Sequence, residues 1–315
     1  MSTRTDVVIA RETNRDALLR ALNAGELERI RRGVYRAPLA PGADRSAKAR
    51  DAYARAIDRA RGLHRQLRAE HRFSHETAAL LLGAPLWRPP VRTHVIQGYR
   101  PSSRAARDVA RHVTDVPSAD QVEAGGLPVT SLARTVVDCA MTLHPLEALV
   151  VADWAMENGL DLGRARALLA QHGEANGIRR AALVLDLTAC GAQSVWETWL
   201  RYVLLRAGFP PPQTQAPVQT RLGLFHVDMG WKEWRVGVEF DGQVKYTDGA
   251  FGAGHDGRQA LIDEKRRGDA VRERWTIVRV TAYDRPDDVV ARVARHLPAG
   301  VRESLRVNPL LPPPS

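Results

Sequence analysis

The chain has 315 residues, with 46 lysines and arginines against 36 aspartates and glutamates, a net charge of +10, and two cysteines. That length points to roughly two or three domains, and 44% hydrophobic with 26% charged residues exclude a wholly disordered chain. The basic balance points to a polyanionic partner and says nothing about fold.

The excess charge is confined to one end. Residues 1–115 carry 23 basic and 12 acidic side chains, whereas residues 116–315 carry 23 and 24. A one-sided excess points to nucleic acid; the alternative is a solvated, arginine-rich surface. Lysine occurs only at Lys48, Lys232, Lys245 and Lys265. Three of these fall in one C-terminal stretch, where a compact ammonium can sit beside a phosphate or a water as a guanidinium cannot. Cys139 and Cys190 form no CxxC or Cys/His cluster, so no structural zinc site is expected. The N-terminus lacks a signal-peptide core, and no run approaches the ~18 apolar residues of a membrane span. The expectation is a cytoplasmic protein without membrane association.

In chain order, a helix is expected over 15–23, with Thr13 as its cap and Gly25 as its end. Leu27 to Arg36, alternating and turning at Gly33, predicts two short basic strands. A helix followed by a basic hairpin has the outline of a winged helix, which places a helix in the major groove and a wing on phosphates. Residues 41–70 look helical. A helix capped by Ser74 is followed by a break and a strand at 93–97. Arg100, Arg104, Arg107 and Arg111 come next, then His112. Residues 127–190 are expected to be mostly helical, and Arg134 and Asp138, four apart on a helix, form an ion pair. From Ser194 the pattern changes to a helix, strands near 213–220, 225–230 and 235–240, a glycine-rich loop at 247–257, a helix at 259–272, a strand at 276–281 and a helix at 287–296. This predicts an α/β unit with a small sheet. The proline-rich tail from 309 is expected to be disordered.

Four acids carry the chemistry. Glu197 lies on the first of these helices, Asp228 interrupts an apolar strand, and Glu239 and Asp241 lie two apart on the next. Charges inside strands are costly unless they are paired or bind metal, and residues two apart share a strand face. Glu239 and Asp241, with Asp228 alongside from a neighbouring strand, gather hard oxygen ligands that suit Mg²⁺ or Mn²⁺, an ion that activates water and stabilises charge on a scissile phosphate. Lys245 and Lys265 could supply an ammonium. Taken singly, Asp241-Gly242 reads equally as a turn and Glu197 as an exposed helix residue.

The ordered set His226-Val227-Asp228, Val238-Glu239-Phe240-Asp241-Gly242-Gln243-Val244-Lys245-Tyr246, Glu264-Lys265-Arg266-Arg267 and Trp275 to Thr281 resembles the very-short-patch-repair-like endonuclease domain of the PD-(D/E)XK superfamily. The resemblance covers about residues 190–300. It implies a restriction-endonuclease-like α/β/α domain, a helix glutamate at Glu197, metal-binding acids at Asp228 and Glu239, and catalytic roles for Asp241 and for Lys245 or Lys265. The superfamily usually has a lysine two residues after the second acid; here that residue is Asp241. At the front, Leu27 to Tyr35 resembles the wing of AbiEi-like type IV antitoxins. Phe73 to Leu80 and Leu127 to Asp138 resemble the segment that follows it in such proteins. This resemblance implies regulatory DNA binding and a cognate toxin as partner.

The combined expectation is an α+β chain of four parts. They are a winged-helix region over 1–40 that binds DNA through Arg29, Arg31, Arg32 and Arg36, a mostly helical middle region over 41–190, an endonuclease-like domain over 191–300 and a tail over 301–315. The expected function is metal-dependent hydrolysis of DNA. The rival is a non-catalytic regulator or antitoxin that keeps the nuclease fold as a scaffold. RNA stays open as a partner, although no aromatic stacking platform favours it.

Overall fold

The structure, a computed structural model, describes residues 7–99, 106–242 and 255–314, with side chains from 255 to 262 left aside. It is an α+β chain that divides into two compact units. The first comprises residues 1–142 and 160–173, and the second residues 143–159 and 174–315. This division follows neither the 40/41 nor the 190/191 boundary, because helices from the middle of the sequence are shared between the units.

The first unit begins with β1 (Val8–Ile9), α1 (Arg15–Asn23), β2 (Glu28–Arg31) and β3 (Val34–Arg36), with the sheet order β1-β3-β2. Helix α1 has the expected length, but its cap is Asn14, whose side chain accepts from the N–H groups of Asp16 and Ala17 at 3.0 and 3.1 Å. Val7, Ile9 and Val34 bury the sheet's inner face. Helix α2 (Arg45–Gln66) packs on all three strands. At their contact the helix carries Gly62, where a methyl group would lie 2.4 Å from Val34 Cγ1. Alanine would gain about 1 kcal/mol of helix propensity, but crowding a β-branched core residue costs about 1–3 kcal/mol. Gly62→Ala is therefore expected to lower the melting temperature; an unchanged or raised value would contradict this packing.

A mixed five-stranded sheet follows, in the order β6-β5-β4-β8-β7. Its strands are β4 (Arg72–Phe73), β5 (Thr93–Gln97), β6 (Val109–Val113), β7 (Gln121–Ala124) and β8 (Leu127–Thr130). Helix α3 (His75–Leu82) lies between β4 and β5, and α4 (Leu132–Thr142) follows β8. Phe73, Val95, Val109 and Val129 form the core with Ala60 and Leu63 of α2. The region expected to be mostly helical thus contains a sheet. Its strands have two to five residues, and apart from the β7–β8 hairpin they pair with partners far along the chain, which periodicity cannot register. The expected Arg134–Asp138 pair is present, with Nε donating to Oδ1 at 2.8 Å.

In the second unit, α5 (Pro145–Glu157) packs against α7 (Ile178–Leu187) and α8 (Val195–Arg206), whereas α6 (Leu162–Ala170) belongs with α4 in the first unit. The four-stranded sheet has the order β12-β11-β10-β9, formed by β9 (Gln213–Thr220), β10 (Gly223–Trp231), β11 (Val236–Phe240) and β12 (Thr276–Val280). Strands β9, β10 and β11 are antiparallel neighbours, and β12 joins parallel to β11 after α9 (His255–Arg272). Helices α10 (Pro286–Ala294) and α11 (Ala299–Ser304) complete the unit.

The tail is not the disordered segment its composition predicts. Leu311 is 2% exposed, and Tyr202 Oη donates to the Pro312 carbonyl at 2.7 Å. The chain reaches this point by crossing Gly208, just past α8, where φ is +88° and a Cβ would lie 2.3 Å from the Arg306 carbonyl oxygen. Proline repeats cannot pair as strands, but their carbonyls still accept hydrogen bonds.

Candidate active site and basic hairpin

Strands β10 and β11 bring the two expected metal ligands together. The last pairs of their ladder are Trp231↔Val236, Gly230↔Gly237 and Met229↔Val238. Asp228 and Glu239 are the next residue on each strand. In place of a further rung, the N–H of Phe240 donates to Asp228 Oδ2 at 2.7 Å. Glu239 is half-buried. Burial raises its carboxyl above the ordinary range, and the neighbouring Asp228 and Glu264 charges push the same way against Arg279 and Arg267. Arg279, the register partner of Glu239 on β12, places Nε 3.8 Å from Glu239 Oε2.

Arg267 of α9 reaches strand β10. Its Nη2 donates to the His226 carbonyl at 3.0 Å, its guanidinium carbon lies 5.6 Å from the centre of the Phe225 ring, and Nη1 is 3.5 Å from Glu264 Oε2. Among the described residues the cations beside the acidic pair are arginines, which the sequence reading missed. Their one signal was position: Arg267 lies one helical turn after Glu264, and Arg279 lies in a strand parallel to that of Glu239.

The other expected site residues are placed differently. Glu197 is the third residue of α8 and is tied to its cap, Ser194. Its Oε1 accepts from Ser194 Oγ at 3.0 Å, its Oε2 accepts from Gln193 N–H at 2.9 Å, and its own N–H donates to Ser194 Oγ at 3.2 Å. Both carboxylate oxygens thus serve the start of the helix. Asp241 is half-buried just past β11, with its N–H donating to the Val280 carbonyl at 2.7 Å. Lys265 is exposed on α9. Lys245 lies outside the described residues. Helix α8 supports β11 from Trp196, whose ring stacks on Phe240 at 5.2 Å, and Trp199, which meets the same ring edge-on at 6.3 Å.

In the basic hairpin the expectation divides. Arg29 and Arg32 are exposed. Arg31 and Arg36 turn inward, which corrects their expected role on phosphates. Arg31 Nε donates to Asp108 Oδ2 at 2.9 Å and Nη1 to Gln66 Oε1 at 2.8 Å. Arg36 is ringed by Asp58 at 3.2 Å, Glu28 at 3.3 Å and Asp51. A register shift between Arg29 and Arg31 is the physical reason that strict alternation fails there.

No family model matches the chain. It is similar to two proteins of Mycobacterium tuberculosis, the uncharacterized protein MT2308 of strain CDC 1551 / Oshkosh and the uncharacterized protein Rv2248 of strain ATCC 25618 / H37Rv. Each is 29% identical over 180 residues, covering 55% of this chain and 62% of the relative. The chain thus spans less than two thirds of the length of these relatives. The crystal structure of the RV2827C protein from the same organism aligns with a TM-score of 0.37 at 20% identity, covering 58% of this chain and 72% of that one. Among the described residues no helix is long and apolar enough to cross a membrane.

Proposed function

We propose that the protein is a cytoplasmic, Mg²⁺- or Mn²⁺-dependent endodeoxyribonuclease. It binds DNA through the basic first part of its chain and hydrolyses a phosphodiester bond in the second. The observation that carries this reading is the Asp228–Glu239 pair at the end of the β10–β11 ladder, with the Glu239 carboxyl raised by burial and by Asp228. Two adjacent, partly desolvated carboxylates are unfavourable without a cation. Their hard oxygen donors fit Mg²⁺ or Mn²⁺. Such an ion, when bound, activates water and polarises a phosphoryl oxygen.

The chain's own groups prepare the site. The Phe240 N–H fixes the Asp228 carboxylate. Arg267 and Arg279 supply permanent positive charge where a phosphate would gain negative charge. In this reading a water-positioning role falls to Lys265 or Lys245. Purified protein incubated with plasmid and Mg²⁺ or Mn²⁺ is expected to nick or linearise it, and EDTA to stop the reaction. Inert protein on double-stranded, single-stranded and mismatched DNA would remove this reading.

A second reading, a DNA-binding regulator or antitoxin with a cognate toxin, is favoured by Asp241 standing where a lysine is usual and by Glu197 serving its own helix. In both readings α1 with the β2–β3 hairpin acts as a winged helix on DNA, and RNA is the alternative polyanion. Arg29→Ala/Arg32→Ala is then expected to weaken duplex binding without unfolding the protein. It should also flatten the plot of log affinity against log salt by about 2. A gel shift across salt concentrations checks this; an unchanged slope would place the interface elsewhere.

A further inference from the structure

The middle of the first unit gathers three histidines that the proposed nuclease chemistry does not use. His75 opens α3, His94 lies on β5 and His112 on β6. The β5–β6 register pairs His94 with Ala110 and Ile96 with His112, so the two strand histidines are diagonal neighbours on one face. One ligand atom of each histidine lies within 4.8 Å of those of the other two. We propose that His75, His94 and His112 form a binding site for a divalent transition metal, with Zn²⁺ as the first candidate.

The hydrogen bonds around the cluster match those of imidazole ligands. His94 Nδ1 lies 3.1 Å from His112 Nε2, close to the spacing of two nitrogens that share an ion at about 2.0–2.1 Å. The other nitrogen of His94, Nε2, lies 3.1 Å from Glu76 Oε2. A carboxylate there accepts a hydrogen bond from Nε2–H and leaves the Nδ1 lone pair facing His112, the usual outer-shell arrangement of a metal-bound histidine. His75 repeats the pattern in part. Its Nδ1 is 2.9 Å from Ser74 Oγ and 3.9 Å from Asp138 Oδ2, a buried oxygen without a hydrogen bond among the described residues. Asp138 is held in place through its other oxygen by Arg134.

Two further features support the site. His75 adopts φ +53°, a left-handed conformation that costs a non-glycine residue energy and recurs at functional positions. Burial, together with the neighbouring histidines and arginines, lowers His75 to about 2 and His112 to about 4, so both rings are neutral near pH 7. Oxygen-preferring Mg²⁺ is a poor match for three imidazoles, whereas Zn²⁺, Ni²⁺ or Fe²⁺ suits them. The rings of His75 and His112 stack at 4.0 Å, which holds the two imidazoles side by side. Three protein ligands, two of them half-buried, leave a fourth position for water or an exogenous ligand.

The test uses full-length protein stripped with EDTA and titrated with Zn²⁺ and with Co²⁺. The expected result is a saturable site with visible d–d bands of tetrahedral Co²⁺ and a higher melting temperature on adding Zn²⁺. His94→Asn/His112→Gln is expected to lose the site with its far-ultraviolet circular dichroism unchanged, and Glu76→Gln to weaken it about 10–100-fold. Asp228→Asn/Glu239→Gln is expected to retain it, which separates this site from the proposed nuclease centre. Failure of the wild type to take up either metal, or wild-type binding by the double histidine variant, would overturn the proposal. Should the double variant fail to fold, unchanged affinity in Glu76→Gln with no tetrahedral Co²⁺ bands in the wild type would overturn it equally.

Discussion

Glu239→Gln is expected to reduce Mg²⁺-dependent cleavage of plasmid DNA by about 100-fold or more, the scale seen when one electrostatic contributor is removed from a transition state, and yet to leave the fold no less stable. The two signs follow from one cause. In the metal-free protein the half-buried Glu239 carboxylate suffers from desolvation and from the charge of Asp228, with Glu264 adding to the repulsion. Glutamine keeps the shape and the hydrogen-bonding capacity, and it removes that repulsion. It also removes the charge for which a divalent cation would bind. A metal-binding carboxylate is therefore distinguished from a merely structural one by stability and activity moving in opposite directions. Thermal unfolding in EDTA and a plasmid assay in Mg²⁺ measure the two. Cleavage at the wild-type rate would place the chemistry elsewhere. A marked loss of stability in EDTA would show instead that the Arg279 contact is what keeps Glu239 in place.

The acids of this site were legible because a charge inside an apolar strand is a local anomaly. Asp228 follows Phe225 to Val227 directly, and Glu239 follows Val236 to Val238. Their cationic neighbours were not legible. Arginine is abundant throughout the chain, so nothing local separates Arg267 and Arg279 from the solvated ones. The search for scarce lysines pointed to Lys265, which is exposed, and to Lys245, outside the described residues.

The hairpin makes the same point in reverse. Its strands and its Gly33 turn are local, and both form. Whether Arg31 and Arg36 face solvent depends on Asp108 and Asp58, which arrive from other elements. Helices α1, α8 and α10 and strand β5 were legible through capping, periodicity or alternation. The short strand β4 was not, since its partners β5 and β8 are distant in sequence, and the β7–β8 hairpin across Gly125 and Gly126 was passed over although it is local. The three histidines sit on three elements, and only the topology of the five-stranded sheet brings them together.

Asp153→Asn is expected to destabilise the second unit by about 3–5 kcal/mol, the cost of removing one partner from a buried ion pair. Asp153 and Arg201 are 1% and 3% exposed and join α5 to α8. Arg201 Nη2 donates to both carboxylate oxygens at 2.6 and 2.7 Å. Thr198 Oγ1 adds a third hydrogen bond at 3.0 Å, and the Ala189 N–H a fourth at 3.0 Å. Arg201 Nη1 also donates to the Leu187 carbonyl at 2.6 Å, so the pair fixes the end of α7 as well. Asparagine preserves the volume and part of the hydrogen bonding. It leaves the guanidinium charge in a medium too poorly polarisable to solvate it. The double replacement Asp153→Leu/Arg201→Met removes both charges, and it is expected to cost much less than Asp153→Asn alone, since no uncompensated ion remains. Six of the seven tryptophans lie in the second unit, so tryptophan fluorescence during urea unfolding reports chiefly on that unit. Single and double variants that lost equal stability would show that hydrogen-bond geometry, rather than the buried charge, holds the three helices together.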